Sequence, residues 1–177
     1  MGRKCENSQS PLQRTASNCM VISKTHLLAL FFVAISACAQ SRMVLDTPIY
    51  PEGVDAKKEI RAALVQAKAQ NKHVLLVFGA DWCYDCHVLD YRFHSPEIEP
   101  FLDKNFVVVH VNIGRGETNV DLSNKYHIPV DKGVPSIAVV SPTGALLYST
   151  QHGEISPTRR MPATQIVGML ENWAALK

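Results

Sequence analysis

The stretch Val74-Leu75-Leu76-Val77-Phe78-Gly79-Ala80-Asp81-Trp82-Cys83-Tyr84-Asp85-Cys86-His87 runs from an unbroken apolar segment into a pair of cysteines. An apolar run of this length that ends at Gly-Ala predicts a strand over 74–78, buried on both faces of a sheet covered by helices. Past the cysteines, Val88, Leu89 and Phe93 recur at helical spacing. The motif therefore lies where a buried strand passes into a helix. At that junction Cys83 sits at or beside the helix N-terminus, where free N–H groups and the positive end of the dipole favour thiolate over thiol. Cys86, one turn inside the helix, can attack a mixed disulfide on Cys83 and release the reduced partner. Cys83 is thus the expected nucleophile and Cys86 the resolving cysteine.

Working outward, Ile60, Ala63, Leu64 and Ala67 recur at three and four with Lys, Glu, Arg and Gln between them, which predicts an amphipathic helix over 55–71. Ser95-Pro96-Glu97 reads as a cap, a first-turn proline and an early acid, starting a short helix toward Lys104. Val107, Val108, Val109 and Val111 mark a strand over 106–113. A loop over 114–119 and a short helix over 120–126 follow. Strands over 136–140 and 145–149 flank the turn Ser141-Pro142-Thr143-Gly144 and form a hairpin. Thr164 is placed to cap a last helix with Ile166, Val167, Leu170, Trp173 and Ala174 as its apolar stripe. A first strand is read in 44–50, against the grain of Pro48 and Pro51. The order predicts an α/β fold, with a central mixed β-sheet and helices on both faces.

At 177 residues, 46% hydrophobic and 19% charged, the chain has enough sequence for one ordinary domain. Its formal charge of +2 is misleading, because the first 38 residues hold +3 and leave −1 for the remainder. A nearly neutral domain lacks the clustered Lys and Arg of a nucleic-acid footprint, so no nucleic-acid partner is expected. Residues 27–39 are apolar, preceded by Lys24 and His26 and followed by Gln40-Ser41-Arg42, which is the layout of a signal peptide. The run is shorter than the roughly 20 residues needed to cross a bilayer. Two processing signals overlap: Ala37-Cys38-Ala39 suits ordinary signal peptidase, and Ile35-Ser36-Ala37-Cys38 resembles a lipobox that would leave a lipid anchor on Cys38. Residues 1–19 are polar and precede an n-region that naturally begins at Met20, which suggests an upstream start codon. The expected organisation is a leader over 1–39, a linker or first strand over 40–54, and the domain over 55–177. Export to the periplasm is expected, with the domain either soluble or lipid-anchored.

With Cys5, Cys19 and Cys38 in the leader, only Cys83 and Cys86 are certain to remain in the mature domain. Such a pair is a redox centre, a metal half-site or a haem attachment site. Cys83-Tyr84-Asp85-Cys86-His87 also fits c-type haem attachment, with His87 as one axial ligand and Met161 or Met169 as the other. A metal site, with copper delivery as its most plausible version, would have to recruit His87, His94, His110, His127 or His152. A non-catalytic module with a static disulfide is the remaining alternative. The redox reading needs no cofactor and no metal.

The strand, the segment Gly79-Ala80-Asp81-Trp82-Cys83-Tyr84-Asp85-Cys86 and the later Gly133-Val134-Pro135-Ser136 together resemble the thioredoxin superfamily, over about 55–177. Within it the chain most resembles exported bacterial thioredoxin-like, thiol-disulfide interchange proteins. The resemblance implies a cis Pro135 facing the disulfide, with Val134 and Pro135 binding the substrate chain; Trp82, beside Cys83, is read with them as substrate-binding and as a shield for the thiolate. It also implies protein thiols or disulfides as substrates, and a membrane electron-relay partner as one source of electrons. Two departures stand out: the intervening dipeptide is Tyr84-Asp85 rather than Gly-Pro, and Val77 occupies the position of the buried acid of thioredoxins. Proton transfer to and from Cys86 must then use another group, for which Asp81, Asp85 and His87 are the candidates. Asp85, if near the thiolates, would oppose a second negative charge, raise the thiol pKa and favour a reductase.

Overall fold

The computed structural model describes residues 48–177. Helix α1 (Ala56–Gln70) opens where the Asp55 side chain accepts from the Lys58 N–H, and it closes at Asn71 in the left-handed conformation. Its apolar face buries Ile60, Ala63 and Ala67 against the sheet. Strand β1 (His73–Gly79) follows, then α2 (Tyr84–Phe93), α3 (Glu99–Asn105) and β2 (Phe106–Asn112). Helix α4 (Val120–Lys125), the strands β3 (Ser136–Val140) and β4 (Leu146–Ser149), and α5 (Ala163–Ala174) complete the order. Short 3-10 turns lie at Val130–Lys132 and Thr158–Arg160. Among the described residues no helix is long and apolar enough to cross a membrane.

The sheet order is β2-β1-β3-β4, with β1 parallel to β2 and antiparallel to β3. Leu76 pairs with Val109 on one side and Ala138 on the other. Alternate residues of β1 feed two cores. Val74, Leu76 and Phe78 pack with α1 and α4, whereas Leu75 and Val77 pack with α2, α3 and α5. This two-sided burial is why β1 is apolar without alternation. The α/β fold with a mixed sheet and helices on both faces is therefore the one expected from the sequence.

Three local readings differ. Ser95 does not cap α3: its carbonyl accepts from Ile98 and Glu99 in a turn, and the helix starts only after Ile98 has entered the core. Helix α5 begins at Ala163 behind an extended Pro162, so Thr164 lies within its first turn rather than capping it. Of the strand read in 44–50, residues 44–47 lie outside the described residues, as does the leader with Cys38. Residues 48–50 form no strand, because the Ile49 and Tyr50 N–H groups are taken by a carboxylate rather than a ladder.

Leu76 is fully buried in the middle of the central strand. Leu76→Ala is expected to lower the unfolding free energy by about 2–5 kcal/mol in denaturant titration. Val65→Ala, on the exposed side of α1, should change it by no more than about 0.5 kcal/mol.

Candidate active site

Cys83 is the N-cap of α2. Its backbone is extended, and its Sγ accepts from the Cys86 N–H at 3.1 Å. Its carbonyl accepts from Cys86 and His87 at 3.1 and 3.3 Å. The two cysteines form a disulfide with their Cα atoms 5.3 Å apart. Both are buried, Cys83 to 5% and Cys86 to 1% residual exposure, so Cys83 is the more accessible sulfur. The Val134 carbonyl oxygen lies 3.4 Å from Cys83 Sγ, and the Val134–Pro135 peptide is cis. Gly133, with φ of 109°, takes a backbone conformation that a side chain would disfavour, and its carbonyl accepts from Ser136 Oγ where β3 begins.

Trp82 is 54% exposed, and its Nε1–H donates to the Gly114 carbonyl at 2.6 Å. The ring stands between two hollows. One, of about 610 Å³, is lined by residues including Pro51, Asp81, Asn112 and Thr118. The other, of about 420 Å³, runs from Trp82 past Ile113 and Val130 to Gly133 and Val134.

The three candidate modulators are held in different ways. Asp81 Oδ1 accepts from the Ile49 and Tyr50 N–H groups at 2.8 and 3.1 Å, so this acid anchors a segment from upstream of the domain predicted over 55–177. Asp85 accepts from the Arg159 N–H at 2.8 Å and pairs with its guanidinium at 3.2 Å. A cation 74 residues away therefore compensates the Asp85 charge, which weakens any effect of that charge on the sulfurs. His87 is buried; its Nε2–H donates to the Asp81 carbonyl at 2.8 Å, and its Nδ1 has no partner. Met161 and Met169 pack into the apolar core. Among the described residues, no three His, Cys, Asp or Glu side chains converge as metal ligands.

Sequence reasoning missed Tyr50 and Gly79. Tyr50 is completely buried and clusters with Cys83 and Cys86, with Ile49 and Val134 at the margin. Its carbonyl accepts from Asn112 Nδ2 at 2.9 Å, and its ring meets His110 edge-on with centroids 5.1 Å apart. A Cβ at Gly79 would lie 2.5 Å from the Tyr50 hydroxyl oxygen and 2.7 Å from Cys86 Sγ. The bare glycine is what lets ring and sulfur meet at the end of β1. Burial, with the Asp90 and Asp81 charges adding to it, pushes the Tyr50 phenol far above its ordinary value. Burial also holds His110 below its ordinary value; the Asp90 carboxylate at 3.4 Å opposes this and His94 reinforces it. Only the glycine beside the motif offered a signal for this arrangement, since Tyr50 lies 31 residues from Asp81.

A cysteine capping the helix, a partner cysteine one turn away and a carbonyl beside the outer sulfur suit one kind of chemistry, the exchange of a disulfide with another thiol. The fold and pair together are those of the thioredoxin-like thiol-disulfide oxidoreductases. The family model described as Thioredoxin-like matches residues 55–142, and the chain belongs to that family. The crystal structure of a disulphide isomerase from Xylella fastidiosa Temecula1 is similar with a TM-score of 0.69 and 33% identity, covering 72% of this chain and 97% of that one. The thiol:disulfide interchange protein DsbD of Vibrio cholerae is 38% identical over 60 residues, or 33% of this chain. That of Pseudomonas fluorescens is 30% identical over 94 residues, or 52% of this chain. The matched stretches span only 10% and 15% of those two relatives.

Gly79→Ala is expected to cost about 1–3 kcal/mol in denaturant titration, because the methyl group meets a buried ring and a sulfur with nowhere to move. A second expectation concerns pH. His110 has a lowered folded-state pKa, so the unfolded chain binds the proton more readily. Its contribution to stability is present above the ordinary 6.5 and is lost as pH falls below it. The denaturation midpoint should therefore drop between about pH 7.5 and about pH 5.5, and His110→Gln should flatten that slope.

Proposed function

We propose that the chain is exported and reduces disulfides in periplasmic proteins, with Cys83 as the attacking sulfur and Cys86 as the resolving one. The observation that carries this reading is the placement of Cys83 as the cap of α2, with Cys86 behind it and the Val134 carbonyl in front. The substrate chain would lie in the hollow between Trp82 and Val134, where an extended peptide can reach the outer sulfur. The two DsbD relatives carry the description thiol:disulfide interchange, and the same interchange is assigned here to Cys83 and Cys86.

The reductase direction rests on burial rather than on Asp85. Among the described residues, the polar contacts of the Cys83 sulfur are the Cys86 N–H and a carbonyl oxygen, and no cationic side chain is among them. Desolvation without a cation disfavours the thiolate, which makes the reduced pair less favourable and the protein more reducing. A reductase must be recharged from outside the chain, and a membrane electron-relay partner fits that need. Export is supported by the signal-like run over 27–39.

Cys83→Ser should abolish reduction of a disulfide-bonded peptide, whereas Cys86→Ser should accumulate a mixed disulfide located on Cys83 by peptide mass spectrometry. Undiminished turnover in both variants would sink the mechanism. Equilibration in thiol buffers should give a potential near the thioredoxin value of about −270 mV; one near about −120 mV would make the protein a disulfide donor instead. N-terminal analysis of the product in fractionated cells tests export. A mature chain starting at Cys38 with a lipid, or at Gln40 without one, supports it, and an unprocessed cytosolic chain overturns it.

A further inference from the structure

The sequence leaves one chemical need unmet. Val77 stands where thioredoxins carry a buried acid, and it packs in the apolar core. The candidates nearest the motif are held elsewhere: Asp81 by two backbone N–H groups, Asp85 by Arg159, and His87 through Nε2 by a carbonyl, with only its Nδ1 left without a partner.

Tyr50 is in the opposite situation. Its ring has no exposure, and its hydroxyl has no hydrogen-bond partner with the cysteines in the disulfide state. A buried hydroxyl left unpaired is unfavourable, and a phenylalanine would fill the same volume without that penalty. The hydroxyl oxygen and Cys86 Sγ both crowd the position a Gly79 Cβ would take, at 2.5 and 2.7 Å from it. The ring is fixed there by Asp81 on its own and the preceding N–H, by Asn112 on its carbonyl and by His110 against its edge. A disulfide sulfur is a poor acceptor, whereas a thiolate is a strong one.

We propose that the Tyr50 hydroxyl is the hydrogen-bond donor to Cys86 Sγ when the pair is open, and so promotes the resolving step. This rests on the thiol-exchange reading above. In that step the Cys86 thiol gives up its proton and its sulfur attacks Cys83 Sγ. The Cys83–substrate S–S bond breaks, the Cys83–Cys86 bond forms, and the departing substrate sulfur takes up a proton and leaves reduced. Tyr50 keeps its own proton throughout, since burial and the Asp90 and Asp81 charges hold the phenol protonated. It acts as a donor and not as a base. Asp81 and Asn112 are positioning residues for the ring. The titratable groups around the ring and the pair are Asp81, His87, Asp90 and His110.

Tyr50→Phe in the full-length chain removes only the oxygen. The Cys86 titration is read as the thiolate ultraviolet absorbance of Cys83→Ser minus that of the Cys83→Ser, Cys86→Ser double variant, each with and without Tyr50→Phe. The midpoint is expected to rise by about one pH unit, a tenfold loss of thiolate at fixed pH. With Cys83 and Cys86 present and Cys5, Cys19 and Cys38 replaced by Ser in every variant, reaction of the dithiol with an aromatic disulfide releases chromophore in two phases, attack by Cys83 and then resolution by Cys86. Tyr50→Phe should slow the second phase about threefold, because the greater nucleophilicity of a more basic sulfur offsets part of the lost thiolate. The first phase should be unchanged, and Tyr91→Phe, at an exposed tyrosine of α2, should leave both phases unchanged. An unmoved midpoint with an unmoved second phase overturns the proposal. Equal slowing of both phases with a fall in melting temperature also overturns it, by reducing Tyr50 to a packing residue. A wild-type chain without a second phase overturns the exchange reading itself.

Discussion

Strand β1 is hydrogen-bonded on both edges and buried on both faces, and the rest of the domain is arranged around that constraint. A segment without free edge or free face has one place to leave the sheet, and here it leaves at Gly79. The next four residues make the turn that puts Cys83 at the mouth of α2. Because Leu75 and Val77 hold one helical layer and Val74, Leu76 and Phe78 the other, the exit point is fixed from both sides. The redox pair inherits its position from the packing of a strand that contains no reactive group.

The same exit point is where the site becomes crowded. Gly79 has no side chain, and the space it leaves is shared by the inner sulfur and a phenol from upstream of the domain. Residues 49 and 50 are held by the Asp81 carboxylate and by Asn112, the last residue of β2. The segment read as linker or strand thus forms one wall of the redox centre. An acid beside the catalytic cysteine is here a clamp for that wall rather than a free charge.

Electrostatics around the pair follow from partners that are distant in the chain. Arg159 compensates Asp85, and His94 and His110 share Asp90. What remains at the sulfurs is burial, a helix N-terminus, a carbonyl and the protonated Tyr50 phenol. Burial and the carbonyl disfavour a thiolate while the helix end favours it, and that balance sets how readily the pair opens.

The sequence by itself determined the elements whose signals are local. The double burial of β1 is written in its unbroken apolar run, α1 in its spacing of three and four, and the hairpin in Ser141-Pro142-Thr143-Gly144. Helix starts at Glu99 and Ala163 were less legible, because burial of Ile98 and the extended Pro162 outweighed the side chains that looked like caps. Only the tertiary structure decided that Asp81 anchors Tyr50, that Asp85 meets Arg159, and that a phenol faces Cys86 across Gly79. Each of these joins residues tens of positions apart, and no periodicity or spacing encodes such a meeting. It arises only when the sheet closes and brings separate segments to the same end of β1.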